Sequence, residues 1–231
     1  MNTSNQKIPI QVVIFDYGQV LARPPLRSDV ESMAAIFKIS TQRFEELYWR
    51  PRLTYDRGDL DVVSYWTEVA VAAAKTCDGS VNDQSAAAAL TPAMIENLVE
   101  IDTQSWSRPD EATVRWATQL RQAGLELAVL SNMPLELSRN LVGRCQWLSV
   151  FERFIFSCDV RAVKPEAAIY QVCLDEVHSL PGEVLFLDDR QENVDGAIRA
   201  GMNSVLFDNL EGTMERVAST FDLRISAQKL I

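Results

Sequence analysis

Ile10-Gln11-Val12-Val13-Ile14-Phe15-Asp16-Tyr17-Gly18 is the stretch that decides the fold: a short apolar run that ends abruptly in a carboxylate and a glycine. The run is continuous rather than alternating, as expected of a strand covered on both faces of a parallel sheet. Four later runs have the same character: LELAVL ending at Leu130, RFIFS ending at Ser157, EVLFL ending at Leu187 and SVLF over 204–207. Helical spacing separates the later ones. Pro165 is expected to open a helix using Ile169, Val172, Cys173 and Val177, and a second helix runs from Gln191 to Ala200 and stops at Gly201. Strand and helix in this alternation predict an α/β fold, a doubly wound parallel sheet with ligands at the carboxyl ends of its strands.

Between the first strand and the second, more than a hundred residues contain no convincing strand. Ser28 and Glu31 have the spacing of a capping box ahead of Val30, Met33, Ala34 and Phe37. Phe44, Leu47 and Tyr48 follow at helical spacing, then Val62, Trp66, Val69 and Ala73 after a turn at Asp56-Arg57-Gly58. Thr91-Pro92 reads as an N-cap and first-turn pair. The segments ARPPL (22–26) and WSRPD (106–110) bracket this block like two hinge strands. The expected division is a sheet core over residues 1–22 and 108–231, with a helical insert over 23–107.

The strand ends carry the chemistry. Asp16 follows the first, Ser131-Asn132 ends the second, Asp188-Asp189 ends the fourth, and Lys164 stands beyond the third. Asp16 can attack phosphorus as a carboxylate nucleophile, and Asp16 with the Asp188-Asp189 pair can hold Mg²⁺ through hard oxygen ligands. Lys164 and Ser131 can neutralise and orient phosphoryl oxygens. Adjacent carboxylates repel each other, and a divalent cation offsets that repulsion.

In these four segments, VVIFDYGQVL, VLSNMP, VKPEAAIY and VLFLDDRQENVDGA, the chain resembles the haloacid dehalogenase superfamily over nearly its whole length. The resemblance implies a Rossmann-like core, Mg²⁺-dependent chemistry through an aspartyl intermediate, and a helical cap inserted after the first strand. The forms FDYGQV and DDRQEN are most similar to the branch containing alpha-D-glucose-1-phosphate phosphatase. That likeness makes Ser131, Asn132 and Lys164 phosphate contacts. It assigns Mg²⁺ to Asp16, the Gly18 carbonyl and Asp189, with Asp188 as a near neighbour or water-mediated ligand. One departure stands out: most phosphatases of the superfamily carry a second aspartate two residues after the nucleophile as general acid, and here that position is Gly18. Losing such help, typically worth about 10²–10⁴ in rate, favours leaving groups that depart easily, such as anomeric phosphates.

The expected activity is therefore Mg²⁺-dependent hydrolysis of a small phosphorylated metabolite, with sugar 1-phosphates favoured. The alternatives are a metal-independent 2-haloacid dehalogenase, a phosphotransferase, and a binding protein that has lost catalysis. Composition excludes other classes. Thirty-two acidic against 22 basic residues, net −10 over 231 residues, argue against nucleic acid and anionic membranes as partners. No stretch reaches the ~20 apolar residues of a membrane span. The N-terminal residues carry no signal-peptide pattern and the cysteines Cys77, Cys145, Cys158 and Cys173 are widely spaced, so reduced thiols and a cytoplasmic location are expected. Oligomeric state is left open. His178, the single histidine, reads as a helix-end residue; Tyr48 and Trp66 read as core of the insert; Arg50, Arg52 and Arg57 read as a solvated face. Tyr55 and Asp56, beside the Gly58 turn, are expected to reach the active site.

Overall fold

The computed structural model describes residues 9–75 and 90–223; Cys77 and the Ala86–Ala89 run, read from sequence as a thiol and a weak helix or loop, lie outside the described residues. All five expected strands form, each within a residue or two of its sequence boundary: β1 (Val12–Phe15), β2 (Glu126–Ser131), β3 (Arg153–Phe156), β4 (Val184–Asp188) and β5 (Asn203–Leu206). They make one parallel sheet in the order β3-β2-β1-β4-β5. The fold is the Rossmann-like α/β architecture expected from the sequence.

Both faces of the sheet are dry, which is why its strands are apolar without alternation. Val13 and Phe15 of β1 join Leu127, Val129, Leu185 and Leu187 on one face, beneath Trp116 and Leu120 of the helix Glu111–Gln122. Val12 and Ile14 join Leu130 and Phe186 on the other, beneath Tyr170 and Cys173 of the helix Ala167–Val177 and Ala197 of Gln191–Arg199. Register then aligns the strand ends. Phe15 lies opposite Val129 and Leu187, and the Asp16 amide donates to the Leu187 carbonyl at 2.8 Å, so Asp16 and Asp188 stand level at the centre of the sheet.

Among the described residues, five helices fall between β1 and the helix Glu111–Gln122: α1 (Arg27–Phe37), α2 (Thr41–Trp49), α3 (Arg52–Asp56), α4 (Val62–Ala73) and α5 (Pro92–Trp106). They share a separate apolar cluster in which Phe44, Tyr65, Trp66 and Leu98 are fully buried. The chain enters and leaves this block side by side. Ala22 and Pro109 form an antiparallel bridge, Arg23 N–H donates to the Arg108 carbonyl at 2.9 Å, and Asp110 N–H to the Leu21 carbonyl at 2.7 Å.

Two sequence expectations need correction. The first insert helix begins at Arg27, and its cap is made by Asp29, whose carboxylate accepts the Leu26 N–H at 2.9 Å; Ser28 lies inside the helix. With Leu26 as the N-cap, the helix starts two residues before a Ser28 cap would have begun it. Pro165 precedes rather than opens its helix, which starts at Ala167 after Glu166. Thr91 caps as expected, its hydroxyl accepting from Met94 N–H at 3.2 Å, and His178 closes a helix in the left-handed region. Cys145, Cys158 and Cys173 are free thiols. No helix among the described residues is long and apolar enough to cross a membrane.

Candidate active site

A cavity of about 420 Å³ lies between the carboxyl ends of the strands and the inserted helices. Asp16, Gly18, Ser131, Asn132, Lys164 and Asp189 all face it, which brings six of the seven residues singled out from sequence to one wall; Asp188 stands immediately behind.

Lys164 is the hub. Its side chain is 2% exposed, and Nζ donates to Asp16 Oδ1 and Asp188 Oδ2 at 2.6 Å each and to the Leu130 carbonyl at 3.0 Å. Burial works against its charge, but the two flanking carboxylates hold the ammonium above its ordinary range. Asn132 aims this lysine: Oδ1 accepts the Lys164 N–H at 2.8 Å and Nδ2 donates to its carbonyl at 3.1 Å. Both ends of the Asn132 amide are thus committed to positioning Lys164. Asp188 is equally committed, because Oδ1 accepts the Arg190 N–H and Asn193 Nδ2 at 2.9 Å each.

Asp16, Asp188 and Asp189 present oxygens within 4.8 Å of one another. Three carboxylates against one ammonium leave two negative charges. Burial pushes the Asp16 carboxyl up to about 7, opposed by Lys164 and reinforced by Asp188 and Asp189. The Asp189 carboxyl is likewise raised by burial and by Asp188. A divalent cation bound by hard oxygens fits this donor set and its charge.

The opposite wall comes from α2, α3 and α5, and sequence reading only half found it. Asp56 does reach the cavity. Tyr55 does not: it stacks on Tyr65 at 4.2 Å between ring centres, and its hydroxyl donates to Glu136 Oε2 at 2.9 Å. Arg52, read as solvated, is buried and faces the cavity. Its Nε donates to Asp56 Oδ1 at 2.8 Å, and Nη1 donates to the Tyr48 hydroxyl and to Asp102 Oδ2. The four-residue spacing of Arg52 and Asp56 was the available signal. Trp106, whose Nε1 donates to the Tyr48 hydroxyl at 3.3 Å, covers the backbone at Gly18.

A parallel sheet whose central strand ends in Asp16, with Lys164 and further carboxylates converging on that end, is the frame of the site. The chain belongs to the haloacid dehalogenase-like hydrolase family, whose sequence profile matches residues 10–201. Bifunctional epoxide hydrolase 2 of Rattus norvegicus is 34% identical over 94 residues, 39% of this chain and 17% of that protein, so the match spans under a fifth of that relative. A HAD family enzyme of Bacteroides thetaiotaomicron, solved in complex with magnesium and inorganic phosphate, has a TM-score of 0.64 at 16% identity and covers 85% of this chain and 93% of its own. L-2-haloacid dehalogenase of Xanthobacter autotrophicus has a TM-score of 0.63 at 18% identity, covering 94% and 84%. At these identities the likeness is one of fold.

Proposed function

We propose that this protein is a Mg²⁺-dependent phosphatase of small phosphorylated metabolites, with sugar 1-phosphates favoured. The observation that carries the reading is the charge of the strand-end cluster. Lys164 bridges Asp16 and Asp188, and Asp189 is a further carboxylate that a metal-free substitution at carbon has no use for. Asp16, Asp189 and the Gly18 carbonyl would hold Mg²⁺, with Asp188 behind them bonded to Lys164. Bound there, Mg²⁺ supplies neutralisation of the phosphoryl charge.

The chain's own residues do the rest. Asp16 attacks phosphorus and forms an aspartyl phosphate, which water then hydrolyses. Lys164 balances the charge on Asp16 and the phosphoryl oxygens, while Ser131 orients them. The inserted helices act as a cap over the site, with Trp49 and Trp106 on the cavity wall. Gly18 leaves the strand end itself without an acid, and the sugar 1-phosphate preference rests on the likeness of FDYGQV and DDRQEN to the glucose-1-phosphate phosphatase-like branch.

The test is phosphate release from glucose 1-phosphate and glucose 6-phosphate, with Mg²⁺, with chelator and in Asp16→Asn. Expected is metal-dependent release that favours the 1-phosphate and falls below detection in Asp16→Asn. Chelator-resistant halide release from 2-chloropropionate, with no phosphate released, would replace this reading with the dehalogenase.

A further inference from the structure

With an alcohol leaving group, the chemistry assigned to Asp16 still needs a proton, and Gly18 supplies none. Among the residues that line the cavity, the carboxylates are Asp16 and Asp189 of the strand-end cluster and Asp56 of α3. The Tyr17 hydroxyl is no substitute, because it donates to the Trp106 carbonyl at 2.8 Å and burial holds its proton far more tightly than usual. Resting on the phosphatase reading, we propose that Asp56 is the proton donor to the leaving oxygen and, after the first step, the base that activates water.

Placement supports the assignment. In phosphoryl transfer the attacking and leaving oxygens lie roughly in line, so a substrate attacked from Asp16 on the sheet points its leaving oxygen at the inserted helices. Asp56 stands on that side, and it is fixed there. Ser157, next after β3, donates its hydroxyl to the Asp56 carbonyl. One residue further, Arg57 grips Glu166 with two hydrogen bonds, and Arg161 donates to the Gly58 carbonyl at 3.1 Å. The acid is therefore tied to the segment that carries Lys164.

The hydrogen bonding leaves Asp56 able to hold a proton. Arg52, Asp56 and Asp102 have side chains only 6%, 9% and 7% exposed, and one guanidinium serves two carboxylates. A buried negative charge without a counterion is costly, and a proton on one carboxyl removes it. Asp102 has a donor on each oxygen, the Tyr48 hydroxyl at 2.8 Å and Arg52 Nη1 at 3.3 Å. Asp56 has one donor, on Oδ1; its Oδ2 has no protein partner among the described residues and is not enclosed. The hydrogen bonding thus leaves Asp56 with an oxygen free to carry a proton into the cavity. Burial raises the Asp56 carboxyl above its ordinary range despite Arg52.

The proton balance closes over one turnover. As the Asp16–phosphorus bond forms and the bond to the leaving oxygen breaks, the Asp56 proton passes to that oxygen and a neutral alcohol departs. The Asp56 carboxylate then takes a proton from the water attacking phospho-Asp16, phosphate is released, and Asp56 is protonated again.

The experiment compares wild type, Asp56→Asn and Asp56→Glu on glycerol 3-phosphate and p-nitrophenyl phosphate in Mg²⁺. Asparagine keeps the size and an acceptor for Arg52 but cannot donate the acid proton. Expected in Asp56→Asn is a fall in kcat/KM of about 10²–10⁴-fold on glycerol 3-phosphate and under about 10-fold on p-nitrophenyl phosphate, whose phenolate leaves unaided. Asp56→Glu should fall between wild type and Asp56→Asn on the alkyl substrate, and it carries the comparison alone if Asp56→Asn does not fold. Equal losses on the two substrates, or a change confined to KM, would overturn the assignment while leaving the phosphatase standing. No phosphate released by wild type from either substrate or from glucose 1-phosphate would overturn both.

Discussion

The two walls of the cavity each bury a cation between two carboxylates, yet they are built differently. On the sheet side, Lys164 joins Asp16 and Asp188, and the groups around it come from the ends of neighbouring parallel strands or the loops that follow them. On the helical side, Arg52 joins Asp56, four residues away, to Asp102, fifty residues away on another helix, inside an aromatic cluster. Among the described residues, only the sheet side carries a third carboxylate, Asp189, within reach of the others. The sheet cluster has charge left over for an ion, whereas the helical cluster can balance itself with a proton. On the reading proposed above, this difference is what lets one wall take a metal and the other carry a proton.

Removing each cation in turn gives the largest expected effects. Lys164→Met leaves Asp16 and Asp188 buried without their counterion, and Arg52→Met does the same to Asp56 and Asp102. Breaking a buried pair in this way typically costs about 3–5 kcal/mol, so both variants should unfold at distinctly lower urea. Mg²⁺ then distinguishes them. Millimolar Mg²⁺ should restore stability to Lys164→Met, because a ligand that binds only the folded state stabilises it, and should do little for Arg52→Met. Equal rescue of both, or of neither, breaks the comparison.

A smaller effect tests how closely each wall is packed. A Cβ on Gly196 would lie 2.7 Å from the Tyr170 hydroxyl oxygen and 2.8 Å from its ring; Tyr170 is fully buried and donates to the Asn193 carbonyl at 2.8 Å. Gly196→Ala should therefore cost about 1–3 kcal/mol, and it would disturb the turn whose Asn193 holds Asp188. A Cβ on Gly18 meets only Trp106, at 3.4 Å, so Gly18→Ala should shift stability by no more than about 0.5 kcal/mol. Paired thermal melts of the two variants check both figures.

The same contrast explains what could be read from the sequence. A parallel strand announces itself by an uninterrupted apolar run, and the polar residue that ends it must stand on the sheet rim; Asp16, Ser131 and Asp188 were legible for that reason. Pro-bearing segments at both ends of a strandless interval marked where the inserted helices begin and end in sequence, and Ala22 and Pro109 pair there. Arg52 was not legible. An arginine on a five-residue helix is solvated by default, and its burial depends on Asp102 and Tyr48, which no local pattern links to it. Tyr55 fails for the mirror reason: beside a turn it looks mobile, but Tyr65 and Glu136 hold it. Strand ends follow from local pattern, while a wall assembled from several helices requires the tertiary packing.

The smallest effect concerns what joins the two walls. Arg57 and Glu166 make a two-pronged ion pair at 2.7 and 2.5 Å across the boundary, with side chains 27% and 42% exposed. Arg57 holds the Glu166 carboxyl below its ordinary range through those hydrogen bonds. A carboxyl depressed on folding stabilises the native state above its unfolded pKa, and the contribution is lost as pH falls through the lower, folded value. Water and salt screen a pair this open, so a double-mutant cycle with Arg57→Met and Glu166→Gln should give a coupling of about 0.2–1 kcal/mol at neutral pH, shrinking toward zero in molar salt and in acid. A coupling of several kcal/mol that resisted salt would mean that the sheet and the inserted helices are fused as one core. A weak and screened one leaves them joined by contacts that can part and re-form.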